Sequence, residues 1–295
     1  MHIIYMNGGL GNQVFQYMFY RWYKKLLAGT DVVIDDSKFW GRDVPHHGYE
    51  LERIYGLKLP LLSQRFSADV WEYLVKRRQE GIDLPEQLLE NGLNLRVVRE
   101  KGVTNIKFNG EIQDFAPGDS LNINIHDNIY WHGYWLTDSF YRQTEAEIKA
   151  DLQFMPIRDE LNRQVVNKIK QAGEPTAIHI RRGDMAKMGW AASPEYYRQR
   201  IADFEAEHEV TLYLLFSDDI PWCEEHAAEL GLSDIADRLL VVDNNGGDGY
   251  WRDLQLMTLC KNRISDRSSF SLLAGFLCDY PQKIDLNNWA ESTAE

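Results

Sequence analysis

An α/β chain with two parallel-sheet domains is what this sequence predicts, on three observations. At 295 residues it is long for one core and comfortable for two of roughly 150 residues each. It opens strand, glycine turn, helix, strand, which is the order of a βαβ unit. Its second half alternates apolar strand-like runs with helical patterns throughout, and such alternation makes the strands parallel and puts ligands at their carboxyl ends.

Residues 2–6 read as a buried strand, followed by NGGLGNQ (7–13) and a helix whose apolar side is Val14, Phe15, Met18, Phe19, Trp22 and Leu26. Lys24 and Lys25 suit the negative end of its dipole, and Gly29 is placed to stop it. DVVIDD (31–36) is the second strand. Through residues 37–120 the signals weaken to a loop holding His46 and His47 and one helix over Ala68–Gln79. LNINIHDNIYWHGYW (121–135) alternates apolar residues with asparagine before an aromatic stretch, and the helix expected over 137–154 takes Thr137 or Asp138 as its cap. The first domain is expected to span 1–155 and the second 156–295, with Pro156 at the crossing.

In the second half the reading gives a helix over 159–172 ended by Gly173, a strand over 176–180 and a helix started by Ser193 and Pro194. Strand TLYLLF (211–216), helix PWCEEHAAELG (221–231) and strand RLLVV (238–242) follow. Helix YWRDLQLMTLC (250–260), the short strand RIS (263–265) and helix SSFSLLAGFL (268–277) complete the pattern.

An apolar content of 44% with 26% charged residues is that of a folded, globular chain. The formal charge of −13 argues against a general nucleic-acid binder, which draws its affinity from a basic face. Cys223, Cys260 and Cys278 are odd in number and form no CxxC, so they read as core thiols in a reducing compartment. The opening MHIIYM meets glycines at once; neither a secretion signal nor an integral membrane segment is read, and a cytoplasmic location is expected.

Three strand ends carry polar clusters: HIRRGD (179–184), FSDD (216–219) and SDRSSFS (265–271). Arg181 and Arg182 could pair with Asp184 on the surface, but a strand-terminal pair of guanidinium forks also suits a diphosphate. Ser268 and Ser269 either cap a helix or open an anion site at its amino end. Asp218 and Asp219 either cap the helix at Pro221 or bond ribose hydroxyls or a base edge. Asp253 either complements a helix dipole or reads guanine, whose N1–H and exocyclic amine are two parallel donors.

Gly9 and Gly11 fit the first two glycines of a dinucleotide fingerprint, but Val14 stands at the third; Asp35 or Asp36 would be the ribose acid. Alternatively, the glycines let the backbone approach a ligand while Asn12 and Gln13 supply neutral donors and acceptors. The rings of YWHGYW (130–135) read mainly as core, with some able to offer a face to a sugar. His46, His47 and His132 are too scattered for a metal site. The chain contains no Asp-x-Asp, so protein cations and amides are expected to do a metal's work.

GGLGNQ, HIRRGD, SDD and DLQLMTLCKNRISDRSSFS, in that order across residues 8–271, resemble the bacterial α-1,2-fucosyltransferases of glycosyltransferase family 11. The arginine block is also similar to that of α-1,6- and protein O-fucosyltransferases. The resemblance implies a GT-B architecture: two Rossmann-like domains facing a central cleft, the N-terminal one on the acceptor side and the C-terminal one holding GDP-fucose. It implies a catalytic set of Arg181 on the β-phosphate, His179 in the same pocket and Asn12 reaching toward the sugar-phosphate. On the donor it implies Arg182, Asp184, Asp218, Asp219, Asp253 on guanine, Ser268 and Ser269 on phosphate, and Gly9 and Gly11. Tyr134, Trp135 and Asp35 fall to the acceptor side. Many relatives carry Asn-Ser-Ser/Thr followed by two tryptophans where this chain has DRSSFSLL (266–273).

The activity so implied is inverting transfer of L-fucose from GDP-β-L-fucose to the 2-hydroxyl of a terminal galactose, without metal or cofactor. The acceptor would be an oligosaccharide or a surface glycan such as O-antigen or capsule, and a lipid-linked one would bring the protein to the inner face of the membrane. The general base is left open among Asp35, Asp36, Glu50, His46, His47 and Asp184. Two other readings stand beside it: a nicotinamide oxidoreductase using Gly9, Gly11 and Asp35, and a non-catalytic glycan-binding protein using the aromatics.

Overall fold

In the computed structural model, which describes residues 1–120, 123–278 and 280, the chain divides into two units, Met1–Phe154 and Met155–Glu295. The division falls one residue before the expected boundary.

The first unit runs β1 (His2–Tyr5), α1 (Leu10–Leu26), β2 (Val32–Asp35), α2 (Leu51–Tyr55), α3 (Ala68–Gln79), α4 (Leu84–Glu90), β3 (Arg96–Glu100), β4 (Ile112–Phe115), β5 (Ile129–His132) and α5 (Glu145–Asp151). Its sheet is wholly parallel in the order β2-β1-β5-β3-β4, with Ile4 opposite both Ile34 and Trp131. Every residue of β1, β2 and β5 is buried, whereas the edge strand β4 buries only Phe115. Strands covered on both faces can be buried throughout, as β2 is at one edge of the sheet, whereas β4 at the other edge is left largely uncovered. The paired run RVVRE and the edge strand IQDF therefore carried too little apolar pattern to be read as β3 and β4.

Two expectations in this unit are corrected. Instead of one helix over 137–154 there is a 3-10 turn at Asp138–Phe140 and then α5, with Thr144 at its N-cap. The Thr137 hydroxyl accepts from Ser139 N, and the side chain of Asp138 lies outside the described residues, as do Leu121 and Asn122. Leu26, assigned to the apolar side of α1, is exposed.

The second unit runs α6 (Glu160–Gln171), β6 (Pro175–Ile180), α7 (Gly183–Lys187), α8 (Pro194–Glu207), β7 (Leu212–Ser217), α9 (Ile220–Glu225), β8 (Leu239–Val241), α10 (Trp251–Met257), β9 (Asn262–Ser265) and α11 (Ser269–Leu277). The sheet is again parallel, in the order β8-β7-β6-β9. Asp159 caps α6 by accepting from Asn162 N, and Ser193 caps α8 by accepting from Tyr196 N with Pro194 just inside. Each such cap satisfies an otherwise orphaned amide, worth about 1 kcal/mol. The helix expected to reach Gly231 stops at Glu225, where the ring of His226 hydrogen-bonds the Trp222 carbonyl. Both units are thus α/β with parallel sheets, the content that the GT-B expectation requires.

Register decides what meets at the carboxyl edge of the second sheet. Ile180 stands opposite Ser217 and His179 opposite Ser265, so the residues that follow, Arg181, Asp218 and Asp266, leave three adjacent strands on one side.

Candidate functional site

Arg181, at the tip of β6, is held by two carboxylates: Nη2 donates to Asp184 Oδ1 at 2.5 Å and Nη1 lies 2.6 Å from Asp218 Oδ2. The pairing with Asp184 that the sequence allowed is present, together with a partner from β7. Asp218 also accepts from Arg182 N at 2.7 Å, and a Cβ on Gly183 would come within 2.5 Å of its Oδ2. Gly183 is therefore the residue that lets the backbone pass against this carboxylate. Ser217 Oγ donates to Ile180 O and accepts from Asp219 N, which fastens the two strand tips together. A planar fork engaged at both Nη atoms has little freedom to swing, so Arg181 is fixed before any ligand arrives.

Arg182 behaves differently. Its guanidinium lies 3.6 Å from the centroid of the Trp222 ring on α9, and Trp222 in turn stacks on His226. Asp219 takes the alternative the sequence left to it, capping α9 by accepting from Trp222 N. A third carboxylate, Asp266, follows β9 with both oxygens buried; burial pushes its pKa up to about 6, against the pull of the Tyr197 hydroxyl and Arg181.

Ser268 and Ser269 begin α11, whose N-cap position is Ser268 and where no side chain caps the helix. The first-turn amides have no intrahelical acceptor and carry the positive end of the dipole, so this end suits an anion. His179 lies against the same helix, with Nδ1 sharing a 2.6 Å hydrogen bond with Ser271 Oγ and its ring beside Phe270. Burial first, then the charges of Arg181 and Arg263, depress its pKa to about 3. His179 is therefore neutral at physiological pH in the ligand-free protein, and its hydrogen bond ties β6 to α11. Because the folded ring resists protonation that the unfolded ring accepts near 6.5, its contribution to stability is complete above pH 6.5 and declines as the pH falls toward 3. The ring carbon proton of His179 is expected to show no NMR titration between pH 8 and about 4; a midpoint near 6.5 would contradict this placement.

Asp253, in the first turn of α10, accepts from Asn245 Nδ2 at 2.8 Å, and burial raises its pKa to about 7. Asn245 and Asn162 form a buried pair, which the exposed Asn244 joins through its own side-chain amide. Sequence reasoning missed this set. Its signal was DNN (243–245) after the strand RLLVV, a fourth strand end on the same sheet.

In the first unit, Gly9 is the N-cap position of α1 and Gly8 takes φ +86°. A Cβ at Gly8 would collide with Asn12 Nδ2, and one at Gly9 would press on the ring of His46. Gly11 is buried within α1, and Asn12 is partly exposed one residue later. Gln13 is buried and uses its whole amide structurally: Nε2 donates to Gly8 O and Gly48 O, and Oε1 accepts from Glu50 N. The glycine block thus seats Asn12 and joins the turn to the loop holding His46 and His47, both exposed.

Other first-unit candidates are corrected by burial. Asp35 is 1% exposed and accepts from Tyr130 Oη at 2.5 Å and from Ser37 N at 2.9 Å, so it is a structural carboxyl with no face for an acceptor or a ribose. That removes one of the two acids open to the nicotinamide reading. Asp36 accepts from Trp40 Nε1 and Ser63 N, and Glu50 is buried against Arg53. Trp135, 1% exposed, lies in the core with its ring stacked on Phe19 at 4.1 Å, so it cannot stack on a sugar. Tyr134 remains partly exposed; its amide and that of Trp135 both donate to Glu100 Oε2.

Among the described residues no group of three or more His, Cys, Asp or Glu stands together as a metal site, and no helix is long and apolar enough to cross a membrane.

Comparison with known proteins gives a consistent set of likenesses. Residues 114–294 match the family described as Glycosyl transferase family 11. An Escherichia coli alpha-1,2-colitosyltransferase is 20% identical over 92% of this chain and 86% of its own length. The O-antigen biosynthesis glycosyltransferase WbnK of Escherichia coli is 25% identical over 95% of this chain and 91% of its own. The galactoside 2-alpha-L-fucosyltransferase SEC1 of Bos taurus is 26% identical over 49% of this chain and 41% of its own.

Proposed function

The chain belongs to glycosyl transferase family 11, and from that premise we propose that it transfers L-fucose from GDP-β-L-fucose to the 2-hydroxyl of a terminal galactose, with inversion. The observation that carries this reading is Arg181, a guanidinium immobilised by Asp184 and Asp218 at the tip of a central strand. Inversion is a single displacement: the galactose oxygen bonds to the fucose anomeric carbon as the bond to the β-phosphate oxygen breaks. The hydroxyl proton passes to a base on the acceptor side, and GDP leaves with growing negative charge.

Arg181 stabilises that charge because its donors are already aimed, and the uncapped amides at the start of α11, with Ser268 and Ser269, supply fixed dipoles to the same end. Arg182 on its Trp222 platform adds a second cation, and Asp253 binds the guanine edge. These groups do the work of a metal ion, and none is required. The free thiols Cys223, Cys260 and Cys278 suit a cytoplasmic setting, and the whole-length likeness to an O-antigen glycosyltransferase supports a surface glycan as acceptor.

The α-1,2 linkage is supported by the names of two relatives, one a galactoside fucosyltransferase and one a colitosyltransferase. The second favours an alternative donor sugar, colitose, on the same nucleotide site. Purified protein incubated with GDP-fucose, or with a colitosyl donor, and a panel of galactosides, each with and without EDTA, is expected to yield an α-1,2-fucosylated galactose with or without chelator. A colitosyl product alone would reassign the donor. Loss of activity in EDTA, restored by magnesium, would overturn the metal-free mechanism.

A further inference from the structure

Three asparagines are packed together in the second unit, and their hydrogen bonds lead to one carboxylate. Asn162 projects from α6, Asn244 and Asn245 follow β8, and Asp253 sits in the first turn of α10. Asn162 Nδ2 donates to Asn245 Oδ1 at 2.7 Å, and Asn245 Nδ2 returns a bond to Asn162 Oδ1 at 3.0 Å. Asn244 Nδ2 donates to both oxygens, at 3.1 and 3.2 Å. The remaining hydrogen of Asn245 Nδ2 goes to Asp253 Oδ1 at 2.8 Å. Asn245, 7% exposed, thus spends its entire capacity of two donors and two lone pairs. Its orientation follows from the ionised form of Asp253, which can only accept.

Buried amides are costly unless fully satisfied, and apolar residues would fill the same volume more cheaply. What this set delivers that apolar packing would not is a carboxylate of fixed orientation, its Oδ1 held by Asn245.

We infer that Asn245, held by Asn162 and Asn244, is a positioning residue for base recognition, setting Asp253 to select a purine edge that presents two N–H donors. The inference rests on the reading of Asp253 as the guanine carboxylate and names what makes that residue selective. Guanine offers N1–H and the exocyclic amine; hypoxanthine lacks the amine, and adenine has an acceptor where guanine has N1–H.

Ionisation of Asp253 is coupled to the same contact. Burial raises its pKa to about 7 and the Asn245 hydrogen bond is what draws it down. The charged side chains on the surrounding elements are Arg252 beside it on α10, Asp159, Glu160 and Arg163 at the start of α6, and Asp243 and Asp248 in the intervening loop; none of them contributes to its shift. The ionised form accepts from guanine, so affinity for GDP should rise as the pH rises through about 7. Removal of Asn245 takes away the one stabilising contact and moves the midpoint upward.

The test compares wild-type protein with Asn245→Ala, Asn245→Ser and Asp253→Asn, titrating GDP, IDP and ADP by calorimetry from pH 6 to 9. Asn245→Ala is expected to lose about tenfold in preference for GDP over ADP at pH 7, and to shift the pH midpoint of GDP affinity up by about one unit. It should raise KM for the donor while kcat at saturation stays close to wild type. Asn245→Ser, whose hydroxyl can still donate, should recover part of both effects, and it carries the comparison if the alanine variant does not fold. Unchanged preference and midpoint in the asparagine variants, with preference lost in Asp253→Asn, would overturn the role of Asn245 alone. Preference retained in Asp253→Asn would overturn the guanine reading itself.

Discussion

Replacing Arg181 with alanine should lower kcat by about 10² to 10³, equivalent to some 3 to 4 kcal/mol of barrier, with the fold intact. The size follows from preorganisation. Both Nη atoms are held by carboxylates from separate segments, Asp184 of α7 and Asp218 beyond β7, so no reorganisation is needed as charge develops on the leaving phosphate. Lysine should not rescue the loss, because a single ammonium cannot satisfy both carboxylates and still present a fork to phosphate. The alanine variant leaves Asp184, Asp218 and the buried Asp266 without their shared cation, and Arg181 is one of the groups that draws the Asp266 pKa down. The Asp266 pKa should therefore climb further above 6 in the variant, and kcat should be compared across pH so that this secondary shift is separated from the loss of the guanidinium. Steady-state rates with GDP-fucose and a galactoside decide the matter: a fall of less than tenfold in a folded variant would contradict the role.

The parts of this site that could be read from sequence are those where one element supplies both pattern and chemistry. HIRRGD, FSDD and SDRSSFS each end an apolar strand, and parallel order alone places three such ends on one edge, as the pairing of β6 with β7 and β9 shows. Ser193 with Pro194 announced a helix start in the same way, because a cap is a local event. What escaped reading depends on partners distant in sequence. Asn162 and Asn245 are 83 positions apart, and Arg182 finds Trp222 across forty, so nothing near either residue reports the contact. β3 and β4 were missed because most of their residues stay partly exposed and so carry little apolar pattern. Asp35 misled because a carboxylate at a strand end looks available to a ligand, whereas here Tyr130, 95 positions away, has claimed it.

Trp135 was misplaced for a related reason, and its replacement is the second large effect to expect. Four aromatic residues around a glycine can line a sugar site or fill a core, and composition does not distinguish them. The structure does: β5 joins β1 at the centre of the first sheet, which carries Trp131 into the interior, and the chain then turns so that Trp135 follows it. The turn requires φ +58° at Trp135, a conformation that a bulky residue adopts only where its surroundings enforce it. Glu100 enforces it by accepting from the amides of both Tyr134 and Trp135. The ring stacks on Phe19 and meets Phe140 edge-on at 5.8 Å and Trp131 at 6.1 Å. Trp135→Ala should therefore cost about 3 to 5 kcal/mol, since the indole leaves a cavity among rigid rings that cannot collapse to fill it. Its buried Nε1 makes no hydrogen bond, so removing that group returns about 1 kcal/mol or more and places the net toward the lower end of the range. Urea titration of wild type and variant gives the difference directly, and the residual folded enzyme should keep its KM for galactoside. A variant of unchanged stability with a raised acceptor KM would return Trp135 to the sugar-binding role that its burial denies it.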